Sequence, residues 1–191
     1  SLKTLLPLRN KILDDVNAML MKKSQPILRD MAVEIHKSGA EQVVVTSSRS
    51  KMTGNGVARA LASYMQSETM KVAVINFSSR TKKQDIDGER LSVGSFVVAE
   101  STGNISILNP DGDLVAMELL GHKDFWKKVQ TLNSTFDLVF LCADNSDAIS
   151  LLSALEGQTM FHITIARIKK TKSATLMHMR SLLPIQGLLH D

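Results

Sequence analysis

The stretch "VVVTSSRSKMTGNGVARALASYM" runs from Val43 to Met65. It opens on β-branched residues, the mark of a strand buried on both faces. A polar turn containing Gly54 and Gly56 follows, and "VARALASYMQS" then repeats apolar residues at helical spacing. Strand, glycine turn and helix, in that order, also describe a loop that cradles phosphate. Such a loop has three working parts. Glycines let main-chain N–H groups turn inward, a Lys bridges the outer phosphates, and a Ser or Thr hydroxyl holds magnesium. Directly after the second glycine this chain has Val57 and Ala58. Neither side chain carries a charge or can ligate a metal.

What remains at the turn can still attract an anion. A helix starting near Val57 offers the positive end of its dipole. Arg49, Lys51 and Arg59 stand nearby. The candidate anion- or nucleotide-binding residues are therefore Lys51, Thr53, Gly54, Asn55, Gly56 and Arg59, with ATP as the conceivable ligand.

Working outward, apolar strands alternate with helices. "LKTLLPLRNKILDDVNAML" and "PILRDMAVEIHKSG" read as two helices. The strands are "EQVVVTSS", "KVAVINFS", "FDLVFLCA", "FHITIARI" and a final "IQGLL". "SVGSFVVAE" and "NISILN" read as two more, joined at the turn Ser101-Thr102-Gly103-Asn104. "LVAMELLGHKDFWKKVQTL", "SDAISLLSALEG" and "SATLMHMRSLL" read as helices, and "RTKKQDIDGER" as a mobile loop. The pattern predicts an α/β fold, a mostly parallel sheet covered by helices on both faces, a three-layer sandwich of the P-loop NTPase type. One domain is expected, with a helical segment over residues 1–40 packed on an α/β unit over 41–191. Ligands of such sheets bind at the carboxyl ends of the strands. That places the candidate site at Thr46 to Gly56.

Composition narrows the function. The 191 residues carry 23 Lys and Arg against 19 Asp and Glu, a net charge of +4. Only 4% are aromatic, with one Tyr and one Trp, too few for a base-stacking platform. No nucleic-acid partner is expected. The single cysteine, Cys142, excludes an internal disulfide framework. The histidines are scattered, so no metal site is expected. Basic clusters at Arg80 to Lys83 and Lys169 to Lys172 read first as solvated surface and second as contacts for an anionic membrane or an acidic partner.

In outline, residues 30 to 191 resemble the cytoplasmic kinase-like domain of bacterial polysaccharide biosynthesis and export proteins. These form the bacterial tyrosine kinase family, relatives of the ParA/MinD nucleotidases. "MAVEIHKSGAEQVVVTSS" resembles the family's entry helix and first strand, and "TGNGVARALASYM" its Gly-Glu-Gly-Lys-Ser loop and helix. "KVAVINFSSR" resembles the strand ending Ile-Asp-x-Asp-x-Arg, and "FDLVFLCADNSDA" the Tyr-Asp-x-Val-Ile-Ile-Asp segment. "ARIKKTKSATL" resembles the late strand and its Lys-Thr turn.

On this alignment the loop Lys is replaced by Val57 and its Ser by Ala58. The two acids of the second strand become Asn76 and Ser78, and the magnesium-associated Asp becomes Cys142. The loop is about two residues longer. Phosphoryl transfer depends on positioned charge, and its loss at five positions together points to a domain without catalysis. Asp144 and Asp147 could return a carboxylate to the site, although helix capping and first-turn charge around Ser146 is the simpler reading. The family's C-terminal tyrosine cluster is missing; Tyr64 stands alone. The resemblance implies a scaffold or interaction module that associates with itself and with synthesis or export proteins. It also implies a place at the cytoplasmic face of the inner membrane, as part of a longer membrane protein. A still-active ATP-binding kinase domain is one alternative.

The other comes from short-chain dehydrogenases, whose cofactor turn "VVVTSSRSKMTGNGVARALA" also resembles. Ser78, Ser79 and Arg80 would then read the 2′-phosphate of NADP. The glycine spacing does not fit, and four residues after Tyr64 comes Glu68 rather than the catalytic Lys.

Overall fold

A computed structural model describes residues 25–80, 91–112 and 114–191. The first predicted helix, most of the "RTKKQDIDGER" loop and Lys82 and Lys83 lie outside them. The elements are α1 (Gln25–Ser38), β1 (Gln42–Ser48), α2 (Gly54–Met65), β2 (Val72–Asn76), β3 (Ser92–Val93), β4 (Phe96–Thr102) and β5 (Ile105–Pro110). They continue with α3 (Ala116–Leu119), α4 (Phe125–Thr131), a 3-10 turn (Leu132–Ser134), β6 (Leu138–Asp144), α5 (Asn145–Ala154), β7 (Phe161–Ala166), α6 (Ser173–Leu182) and β8 (Gly187–His190).

The eight strands form one sheet in the order β3-β4-β5-β2-β6-β1-β7-β8. From β5 to β8 every pairing is parallel. The central strands read as unbroken apolar runs because both faces are covered. Val43 and Val45 face the layer of α1 and α2, together with Leu138, Phe140 and Cys142. Their neighbours Val44, Val139, Leu141 and Ala143 face the opposite layer, with α4, α5 and α6. This alternation is the period of two along a strand, filled with apolar residues on both sides. Burial of such side chains contributes roughly 1.5–3 kcal/mol each.

The antiparallel corner departs from the alternating pattern. β4 and β5 form a hairpin joined by Gly103 and Asn104, with Gly103 at φ +61°. Two residues are too few for a parallel crossover, so the chain must return alongside itself. β3 pairs antiparallel on the outer edge of β4. The expected long helix over 114–132 is two short ones. The chain turns through Leu120–Asp124 before α4, which lets the Phe125 ring meet Phe77 edge-on, with centroids 5.7 Å apart at 89°. At the far side, α1 ends at Gly39 in the left-handed region, φ +68°, a conformation that suits glycine.

Across the sheet a buried polar group links β1 to β7. Thr46 Oγ1 lies 2.8 Å from His162 Nε2 and 2.6 Å from Thr164 Oγ1. The His162 Nδ1–H donates to the Leu183 carbonyl over 3.2 Å, so Nε2 is the acceptor of this neutral ring. Burial pushes the imidazole down to about pKa 4, against a smaller opposite pull from the Leu183 and Pro184 carbonyls.

Candidate functional site

The loop between β1 and α2 spans Arg49–Thr53. Thr53 is the N-cap of α2, and its hydroxyl accepts from the Gly56 N–H over 2.9 Å. An N-terminal Thr that satisfies a free donor of the first turn fixes where a helix begins. The helix therefore begins at Gly54, and both glycines lie inside its first turn rather than ahead of it. The two extra loop residues expected from the sequence are taken up by that turn.

This shifts what faces a ligand. Val57 and Ala58 are fully buried between α2 and the sheet, part of the core. The junction of loop and helix, where a phosphate loop places its Lys and its Ser or Thr, is held by Gly54 and Asn55. Gly54 has no side chain and Asn55 has a neutral amide. With either pairing of positions, the cation and the metal-binding hydroxyl are missing.

The positive end of α2 is also occupied from within. The Gly54 N–H donates to Asp144 Oδ1 over 2.7 Å, and the Ser47 hydroxyl donates to the same oxygen. Asp144 was expected to cap its own helix, α5. It stands at that N-cap position, yet its carboxylate makes no cap bond there and turns to α2 instead. Parallel pairing explains the reach, because Ser47 and Asp144 are partners in the β1–β6 register. The fit is tight: a Cβ on Gly54 would lie 2.5 Å from the Val45 carbonyl oxygen, 3.2 Å from that of Ala143 and 3.3 Å from Asp144 Oδ1.

Beside this contact lies a cleft of about 270 Å³ at the carboxyl ends of the strands. It is lined by Ser47, Ser50, Thr53, Phe77, Ser78, Ser79, Arg80 and Asp144 to Asp147. Asp147, in the first turn of α5, accepts from the main-chain N–H and the hydroxyl of Ser79, at 3.0 and 3.1 Å. Ser78 accepts from the Arg80 N–H. Two carboxylates thus face a cleft whose described cationic lining is Arg80. That is an unfavourable field for a triphosphate.

The other candidates separate. Arg59 pairs with Glu100 of β4 at 3.6 Å, both half-exposed, so its charge is engaged away from the cleft. The Lys51 main-chain N–H donates to Asp191 at 2.6 Å, and its side chain does not line the cleft. Asn76, Cys142 and Asn55 do come together: Cys142 Sγ lies 3.8 Å from Asn55 Oδ1 and 3.9 Å from Asn76 Oδ1, and its S–H reaches the Ile75 carbonyl at 3.2 Å. Burial, and then the Asp144 charge, push the Cys142 thiol far up, beyond the range where it ionises in water. This trio sits where the resemblance puts magnesium chemistry, but it offers two amides and an un-ionised thiol. Among the described residues, no group of three His, Cys, Asp or Glu side chains is placed to hold a metal ion. ATP with magnesium does not fit these residues.

Sequence reasoning missed Asn145 and Asp191. Asn145 stands at φ +52° and accepts from the Arg49 N–H at 2.9 Å. Asp191 accepts from the Ser50 hydroxyl and the Lys51 N–H. Each is a long-range partner, and only the fold brings it to the loop.

Strand order also decides against the dehydrogenase reading. In a dinucleotide-binding sheet the first two strands pair directly. Here β6 lies between them, pairing with β1 on one side and β2 on the other. Ser79 of the supposed 2′-phosphate site is committed to Asp147.

No model of a known family matches the chain, and no curated protein does. Solved structures do. The tyrosine kinase domain of BceF matches with TM-score 0.61 at 12% identity, over 85% of this chain and 75% of that one. The kinase domain of VpsO matches with TM-score 0.57 at 13% identity, over 96% of this chain and 98% of that one. At such identities the shared property is the arrangement of the backbone: this chain has the fold of the BceF and VpsO kinase domains.

Proposed function

We propose that this chain is a non-catalytic domain of kinase fold, belonging to a polysaccharide biosynthesis and export protein and acting there as a scaffold. The observation that carries the reading is the Asp144 carboxylate on the Gly54 N–H. The point of α2 that would meet a phosphate oxygen already holds an anion of the chain's own. The Lys and hydroxyl that would draw a nucleotide there are replaced by Gly54 and Asn55, and the strand-end acids by Asn76, Ser78 and Cys142. A loose phosphoryl-transfer transition state is stabilised almost entirely by such charges.

The export assignment is supported by the order of sequence segments and by the backbone similarity to the BceF and VpsO domains. In that setting the domain's work is docking, to further copies of itself and to synthesis or export proteins.

Isothermal titration with ATP and magnesium, paired with a radiolabelled ATP turnover assay, tests the proposal. No heat of binding and no labelled product are expected. Micromolar affinity accompanied by turnover overturns it. Size-exclusion chromatography with light scattering tests self-association, for which a mass above 21.0 kDa is expected.

A further inference from the structure

Charge is unevenly spread along the chain. From Gly157 to His190 there is no Asp or Glu, while Arg167, Lys169, Lys170, Lys172 and Arg180 stand in that span. Four of these five fall in the β7–α6 loop, "RIKKTK", at the carboxyl end of the sheet.

The loop is held firmly. The Thr171 hydroxyl donates to the Ser48 carbonyl at 2.6 Å and accepts from the Arg167 N–H at 2.9 Å. The Lys170 and Thr171 N–H groups both donate to the Arg167 carbonyl, and Lys169 takes a left-handed φ of +64°. The bond to Ser48 brings the loop beside Arg49. Asp191 joins it to Lys51, accepting from the Ile168 N–H through its main-chain oxygen and from the Lys51 N–H through its carboxylate. One continuous face therefore presents Arg49, Lys51, Lys169, Lys170 and Lys172, all exposed. None of the five forms an ion pair among the described residues. Among them projects Ile168, 63% exposed, an apolar side chain that the fold leaves in water.

We propose that this face docks on an anionic lipid surface. Unpaired cations spaced along a fixed loop suit a fluid plane of phosphates, which rearranges to meet them without matched geometry. The Ile168 side chain at their centre gives such a surface an apolar tip to take up at the headgroup boundary. An acidic protein is the less favoured occupant. A folded acidic partner would have to set its carboxylates at the fixed spacing of this loop, whereas mobile lipid headgroups gather wherever the cations stand. The inference goes beyond the scaffold reading and stands without it, since it uses no feature of the nucleotide loop.

Vesicle co-sedimentation tests it, using phosphatidylcholine vesicles with and without phosphatidylglycerol. Binding is expected only to the phosphatidylglycerol vesicles, and it weakens as salt shortens the screening length from about 10 Å toward 3 Å. Lys169→Glu, Lys170→Glu and Lys172→Glu combined are expected to lower affinity by about 100-fold or more. Ile168→Ser lowers it several-fold with the same salt dependence. Lys71→Glu, at the amino ends of the strands, leaves it unchanged. Thermal melts confirm that each variant is folded. Absent wild-type binding, equal binding to neutral vesicles, or a triple variant that binds like wild type overturns the proposal. So does soluble poly-glutamate that binds as tightly as the vesicles and is indifferent to Ile168→Ser. Loss of the proposal leaves the ATP titration untouched, and a positive ATP titration leaves this face untouched.

Discussion

The Gly54 N–H and the Asp144 carboxylate meet at 2.7 Å, across 90 residues of sequence. The contact ties the first turn of α2 to the end of β6, and the Ser47 hydroxyl shares the same oxygen. Asp144→Ala removes the acceptor for both donors and is expected to cost about 1–3 kcal/mol, the range for leaving partly buried donors unmade. Asp144→Asn keeps an acceptor oxygen and should cost less. Urea denaturation at neutral pH checks the order; equal midpoints for wild type and Asp144→Ala contradict it.

Gly54→Ala should also destabilise the fold, by about 1–3 kcal/mol. The added Cβ would lie 2.5 Å from a main-chain oxygen of β1, which cannot move without disturbing the sheet. Gly157→Ala is not an equivalent control, because Gly157 has a φ of +83° although the space around it is open. Asn55→Ala, one residue on and half-buried, is the better comparison and should cost less. Thermal unfolding of the two variants decides.

Stability should fall in acid because of His162. The unfolded imidazole takes its proton near pH 6.5, the folded one only near pH 4. Between those values the unfolded chain binds the extra proton, so its contribution is full above pH 6.5 and is lost as pH drops toward 4. The loss amounts to about 3 kcal/mol at most. Denaturant midpoints measured from pH 7 to pH 4 should show this slope, and His162→Gln should flatten it.

Cys142 should be inert in the native state. Its thiol is fully buried and held in the un-ionised form, and the thiolate is the reacting species. Ellman's reagent at pH 8 should modify it only as fast as the chain unfolds, and at once in urea. A native rate within about tenfold of the denatured rate would count against the described burial.

Much of the fold is legible in the sequence because its physics is local. Val43 to Val45, Val72 to Ile75 and Leu138 to Leu141 read as strands since both faces of the sheet must be apolar. The break at Leu120–Asp124 had a local signal in Gly121 and in Asp124, the N-cap of α4, while the Phe77 ring that Phe125 meets beyond it is a distant partner with none. The site is legible in what it lacks. Counting from the second glycine put the missing Lys and Ser at Val57 and Ala58, but Thr53 caps the helix and carries the count into its interior. The capping Thr was the available signal. The aim of Asp144 had no local signal at all, because the register of β1 against β6 determines it.

The crowding at Gly54 bears on how this loop could change. A lysine placed at Gly54 would have to seat its Cβ against the Val45 carbonyl, so that replacement by itself does not put a cation at the head of α2. The backbone would have to retreat first, and only a variant already loosened there could accept the charge. The loop follows the backbone course of the BceF and VpsO folds, while one carbonyl oxygen bars any side chain at the head of its helix.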